Sequence, residues 1–171
     1  MENQISDFVR YLQSERNASE HTVKNYQIDL REFGQTLKGK ELGQVSHLDV
    51  RGFLACLTEK QYSKNSISRK LACIRSFFNY LIRENRIQAN PAVEVSTPKR
   101  DKQLPKFLNL EEVTHLLEAP SNRTWEEKRD KAILETLYSS GLRVSELVGL
   151  NREDVDFFNA NVRVRGKGKK E

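Results

Sequence analysis

Apolar residues recur at helical spacing through the first half of the chain. Ile5, Phe8, Val9 and Leu12 make one stripe, which residues 15–17 interrupt. Ser19 reads as an N-cap, and after it Val23, Tyr26, Leu30, Phe33 and Leu37 step by three and four, so that they share one helix face. Gly39 and Gly43 punctuate a loop. Ser46 with Asp49 three residues on has the form of a capping box, with Asp in place of the usual Glu, and Val50, Phe53, Leu54 and Leu57 carry a third stripe. Ser63 opens a fourth and longest helix, which has Ile67, Leu71, Ile74, Phe78 and Leu81 on one face and is expected to end near Asn85. Four such helices predict a four-helix domain over residues 1–90.

The pattern then changes. Residues 91–106 contain Pro91, Pro98 and Pro105 and have no helical period, which predicts an extended linker and a domain boundary. The second domain is expected over residues 107–171. Asn109 with Glu112 caps one helix with Val113, Leu116 and Leu117 on its apolar side, and Thr124 with Glu127 caps another carrying Ile133, Leu134, Leu137 and Tyr138. Gly141 suits the left-handed residue that closes that helix. A short helix through Glu146, Leu147 and Leu150 follows. From Asn161 to Arg165 polar and apolar residues alternate, which predicts a strand, with Gly166-Lys167-Gly168 as the start of a turn and the strand's partner expected beyond Glu171. Tyr26 and Tyr138 lie on apolar stripes and are expected to be buried.

Composition narrows the picture. The 171 residues are 37% hydrophobic, enough for one ordinary core or two small ones. No apolar run approaches the ~20 residues that span a bilayer, and the first residues lack a basic stretch followed by an apolar one, so a cytosolic protein is expected. Cys56 and Cys73 sit among apolar residues without CxxC spacing and read as reduced thiols in a core. His21, His47 and His115 are scattered, so neither a metal nor another cofactor is expected.

Charge adds a candidate surface. The net charge is +5, but residues 60–106 alone hold eleven basic residues against Glu84, Glu94 and Asp101, a local excess of +8. On a wheel of about 100° per residue, the fourth helix places Asn65, Ser68, Arg69, Ala72, Ser76, Asn79 and Arg83 opposite its apolar stripe. Small residues allow close approach, Asn and Arg reach base edges, and Ser and Lys reach phosphates. A solvated helix face is the plain alternative, but such faces usually mix signs. The candidate DNA-binding set is Lys64, Asn65, Ser68, Arg69, Arg75, Ser76 and Arg83, together with Lys24 and Asn25 in the second helix.

Two further cations have site-like settings. Arg143 stands at a junction between helices, where it either pairs with a carboxylate such as Glu146 or clamps a phosphate with its always-charged fork. Lys167 lies between two glycines at a predicted turn, as a solvated lysine or as a proton donor on a mobile loop.

Five stretches meet a known family. AILETLYSSGLRVSELVGLNREDVDF resembles the first catalytic box of tyrosine site-specific recombinases, the phage-integrase family, in wording close to the XerC/XerD kind. NVRVRGKGKKE resembles the hairpin that follows that box. SEHTVKNYQIDLREF and SISRKLACIRSFFNYLIRENRIQANPA resemble the start and last helix of the family's DNA-binding domain, and LPKFLNLEEVTHLLEAP the entry to its catalytic domain. The resemblance implies a mainly α chain: a SAM-like four-helix core-binding domain, followed by the truncated start of an α+β catalytic domain. It implies a C-shaped clamp on a double-stranded DNA recombination site and cleavage through a 3′-phosphotyrosine without a metal. Exchange then occurs in a tetramer with a second recombinase subunit. By motif position Arg143 matches the first catalytic arginine, Glu146 its supporting acid, and Lys167 the lysine that protonates the leaving 5′-oxygen. The family's His-x-x-Arg box and tyrosine do not occur before Glu171, so the chain is expected to bind DNA without cutting it. A non-catalytic DNA-binding regulator derived from a recombinase is the competing reading. An RNA-binding helical protein lacks the stacking aromatics it would need.

Overall fold

Four helices form where the stripes and caps place them: α1 (Glu2–Ser14), α2 (Glu20–Thr36), α3 (His47–Glu59) and α4 (Lys64–Arg83). The Thr22 N–H donates to Ser19 Oγ, and the Ser66 N–H to Ser63 Oγ, each satisfying an amide that the first helical turn leaves open. At the head of α3 the Asp49 carboxylate accepts from the Ser46 N–H at 2.7 Å. A hydrogen bond from Lys40 and those from Ser46 hold the Asp49 carboxyl down at about 2. In this computed structural model, residues 1–97 and 106–164 are described. Pro98, Pro105 and the Gly166-Lys167-Gly168 turn lie outside the described residues.

Two units divide the chain, Met1–Gln103 and Leu104–Glu171. The core of the first is built around Phe8, Phe33, Phe53, Phe77 and Phe78, all fully buried. Phe8 meets Phe77 edge-on at 5.4 Å between centroids, and Phe33 meets Phe53 at 5.3 Å, the T-shaped geometry that aromatic quadrupoles favour. Helix α4 packs against α1, α2 and α3. It therefore buries far more than the single stripe predicted for it: Ser68, Lys70, Cys73, Phe77 and Tyr80 are buried too. Cys73 is a free thiol that burial pushes to a higher pKa, while Cys56, also free, is half-buried.

The start of the expected linker is not extended. Ala92 and Val95 are buried in the first unit's core, so residues 90–97 pack back onto the helices. Arg75 holds them there: its Nε–H donates to the Ala92 carbonyl at 3.0 Å, Nη1 to Thr97 Oγ1 at 3.0 Å, and Nη2 to the Val95 carbonyl. Asn90 adds hydrogen bonds to the Arg75 carbonyl and to Asn79 Oδ1.

The second unit contains α5 (Leu110–Glu118), α6 (Trp125–Ser140), α7 (Val144–Val148) and a two-stranded antiparallel ribbon, β1 (Val155–Asp156) with β2 (Asn161–Val162). Asn109–Glu112 and Thr124–Glu127 form reciprocal capping boxes, and Gly141 closes α6 at φ +66°. The strand at Asn161 has a partner upstream, with Val155 opposite Val162. No described residue of this unit is buried. Tyr138, expected inside, is 60% exposed: α6 packs chiefly on α5 and α7, and those contacts do not cover it. Tyr26 is half-buried against the first core.

Candidate functional site

Helix α4 does present a polar stripe, but its cations Arg69, Lys70, Arg75 and Arg83 all bond groups within the protein. Asn65, Arg69, Ala72, Asn79 and Arg83 are exposed, and Ser76 is half-buried. Ser68 departs from the expectation: it is buried, and its Oγ donates to the Lys64 carbonyl at 2.8 Å, so it faces no ligand. Arg75 departs too, since each of its three guanidinium nitrogens donates to residues 92–97. Arg83 is exposed but bonds Glu15, the C-cap of α1, with its guanidinium carbon 4.8 Å from the Tyr11 ring centroid; the Glu15 hydrogen bond raises its pKa.

Arg69 is half-exposed and forked onto Asp29 of α2 through both terminal nitrogens. Beside it Lys70 is buried, donating to Asp29 at 2.8 Å and Glu32 at 2.6 Å. Burial alone would depress the Lys70 pKa, but these two hydrogen bonds outweigh it and hold the ammonium above its usual value. The apparent absence of acids around the basic run is thus a feature of sequence order only: α1 and α2 supply Asp7, Glu15, Asp29 and Glu32 across the fold. One signal for Asp29 was present. It stands three residues after Tyr26 and one before Leu30, inside an apolar arc where a charge needs a partner.

What remains outward is the N-terminal half of α4. Lys64, Asn65 and Arg69 are exposed there, followed by Ala72 and Ser76. Lys24 and Asn25 are exposed on α2. The two helices run antiparallel, with Asp29 opposite Arg69 and Lys70, and the Tyr26 carbonyl accepting from Cys73 Sγ at 3.7 Å. That register sets Lys24 and Asn25 at the level of the Ser76 turn. The surface is cationic and amide-rich with a small-residue centre, and a helix of ~10–12 Å diameter fits a major groove about 12 Å wide.

In the second unit Arg143 is the N-cap of α7, directly after the left-handed turn at Gly141. Its side chain is 77% exposed, while Glu146 is mostly covered. Glu146 takes the Arg143 N–H at 2.8 Å on one oxygen and Nη1 at 2.7 Å on the other, and these bonds lower its pKa, the backbone one most. Arg143 thus pairs with Glu146, and the pairing leaves most of its guanidinium exposed. Lys167 lies outside the described residues. Among those described, no cluster of three or more His, Cys, Asp or Glu is placed to hold a metal, and no helix is long and apolar enough to cross a membrane.

Comparisons with known proteins agree with this layout. A family model described as phage integrase, N-terminal SAM-like domain, matches residues 5–85, and one described as phage integrase family matches residues 106–171. The chain is 44% identical over 181 residues to the tyrosine recombinase XerC of Syntrophus aciditrophicus, covering 100% of this chain and 58% of that protein. It is 46% identical over 167 residues to XerC of Thermodesulfovibrio yellowstonii, covering 98% and 55%. The chain thus spans little more than half the length of the curated relatives it matches. In fold it is similar to a lambda integrase dimer bound to a COC′ core site (TM-score 0.75, 17% identity, covering 98% of this chain and 46% of that one). It is likewise similar to the Tn1549 transposon integrase in complex with circular intermediate DNA (TM-score 0.71, 25% identity, 96% and 56%).

Proposed function

The chain belongs to the phage integrase family of tyrosine recombinases, and from that membership we propose that it is the DNA-gripping part of a site-specific recombinase of the XerC kind. In this reading the first unit lays the N-terminal half of α4 in the major groove of a double-stranded recombination site. Lys64, Asn65 and Arg69 work there beside Lys24 and Asn25 of α2. The second unit brings Arg143 to the scissile phosphate. A fixed guanidinium stabilises charge as the phosphorane develops, and Glu146 holds it in place without occupying its outer N–H groups. Lys167 donates a proton to the leaving 5′-oxygen. Cleavage and rejoining proceed through a 3′-phosphotyrosine, with a second recombinase subunit completing a tetramer on DNA.

None of the chain's own tyrosines is proposed as the nucleophile. Tyr80 is buried, Tyr11 lies under Arg83, Tyr26 is half-buried, and Tyr62 faces the Lys70 ammonium at 5.3 Å. Tyr138 is exposed, but it sits on α6 with no cation bonded to it among the described residues. The 171 residues by themselves bind DNA without forming a covalent adduct.

The observation that carries this reading is the Arg143–Glu146 pair, a half-satisfied arginine presented at a helix start. The test is a chimera in which residues 1–171 are followed by the remaining segment of the Syntrophus aciditrophicus relative. It is incubated with a nicked suicide substrate bearing that relative's site and run on a denaturing gel. The chimera gives a detergent-resistant protein–DNA band. Arg143→Ala cuts its rate of formation by roughly 10²–10³-fold while DNA binding persists. A band forming at full rate from Arg143→Ala contradicts the assignment.

A further inference from the structure

Asp29 has no place in the DNA surface as described, yet it is the best-enclosed carboxylate among the described residues of the first unit. It is 1% exposed, on the inner side of α2, and both of its oxygens are committed to α4. One oxygen accepts from Arg69 Nη1; the other accepts from Arg69 Nη2 at 3.2 Å and from Lys70 Nζ at 2.8 Å. Lys70 is held in turn by Glu32, and Lys60 Nζ lies 3.8 Å from a Glu32 oxygen. The five groups carry two negative and three positive charges, so the cluster remains net positive beneath an outward-facing arginine.

We propose that Asp29 is a positioning residue for DNA recognition: buried behind the interface, it fixes the guanidinium plane of Arg69 and aims its unused N–H groups at the nucleic acid. The inference rests on the DNA-gripping reading above and deepens it. A guanidinium has five N–H donors, and an end-on fork to a carboxylate uses one on each terminal nitrogen. Three stay available: Nε–H and the outer hydrogen of each terminal nitrogen. The Arg69 side chain is 44% exposed, so this remaining edge reaches solvent. A free surface arginine spends rotamer entropy each time it docks on a ligand, whereas one already gripped has lost that freedom on folding. Lys70 prevents Asp29 from cancelling the arginine outright, because the same carboxylate is shared between two cations. Arg69 therefore acts through direction as well as charge, a role that a lysine in its place does not fill.

The experiment measures affinity of the 171-residue chain for a labelled mixed-sequence duplex across a salt titration, with folding followed by circular dichroism. Arg69→Lys keeps the charge and loses the fork. It is expected to keep the salt slope of the wild type and to lose up to about tenfold in affinity, the entropy of one long side chain. Asp29→Asn is expected to lower affinity by a similar factor in the wild type and to have no further effect in an Arg69→Ala background. A structural defect would lower affinity in both backgrounds alike. Wild-type affinity in Arg69→Lys overturns the proposal, as does an Asp29→Asn loss that persists without Arg69. Should Asp29→Asn fail to fold, the Arg69→Lys comparison decides alone. A folded wild-type chain that binds no duplex overturns the underlying reading and this inference with it. Binding by the wild type with unaltered affinity in Arg69→Lys removes only the inference.

Discussion

Glu146 grips Arg143 at two points, taking its backbone N–H on one carboxylate oxygen and its Nη1 on the other. The same side chain thus starts α7 and orients the cation that precedes it. Glu146→Gln keeps the shape but leaves a neutral acceptor, so the guanidinium loses its ionic anchor. In the chimera the expected outcome is slower adduct formation with DNA affinity unchanged. The pH dependence follows from the lowered carboxyl pKa. The anchoring is fully present above the ordinary Glu value and is lost only as pH falls through the depressed folded value. Adduct formation in the unsubstituted chimera should therefore show no step from Glu146 titration between neutral pH and the usual carboxylate range. A step there would show that Glu146 is not held as described.

Arg75 is a second arginine whose role is internal. Its three hydrogen bonds fasten residues 92–97 to α4, two of them to carbonyls of the buried Ala92 and Val95. Arg75→Ala is expected to destabilise the first unit by roughly 2 kcal/mol, the scale of hydrogen bonds to a charged group. Limited proteolysis should then cut between residues 90 and 97 sooner than in the wild type. Duplex affinity at temperatures where the variant stays folded should change little. Urea unfolding and a digestion time course read both effects.

Lys70 is 4% exposed at its side chain and held by two carboxylates. Lys70→Met removes the cation and leaves Asp29 and Glu32 with Arg69 and Lys60, each nearer to solvent. Breaking a buried pair on one side costs about 3 kcal/mol or more. Chemical denaturation should show that loss as a lower midpoint with an unchanged slope. A variant as stable as the wild type would mean that the network contributes nothing net.

Local signals carried most of the fold. Ser19, Ser63, Asn109 and Thr124 cap where they stand because an N-cap is decided by its own side chain and the next three amides. Gly141 was legible for the same reason. The misread features all depend on partners distant in sequence. Arg69 meets Asp29 forty positions away and Arg83 meets Glu15 sixty-eight away, so a charge count along the chain could not see that the acids were near. Pro91 marks the end of helical period but says nothing of Ala92 and Val95 turning back into the core. Tyr138 keeps helical phase with Leu134, yet phase alone does not supply a layer to bury it. At the candidate site the residue types of Arg143 and Glu146 were readable. The inward side of α4, with Ser68 and Lys70 buried, followed only from its contact with three helices at once.

Arg69 and Arg83 separate duplex binding by the open half of α4 from a general basic attraction. Both are arginines on the same helix stripe, but Arg83 is tied to Glu15 and Tyr11 at the far end. The measurement is duplex affinity by fluorescence anisotropy for the wild type, Arg69→Glu and Arg83→Glu, each across a salt series. The wild type should bind with affinity that falls steeply as salt rises, because phosphate contacts release counterions. Arg69→Glu should weaken binding by more than about tenfold through a lost contact and new repulsion, and Arg83→Glu should weaken it far less. Wild-type affinity in a folded Arg69→Glu variant, or equal losses in the two, would contradict duplex binding by the open half of α4.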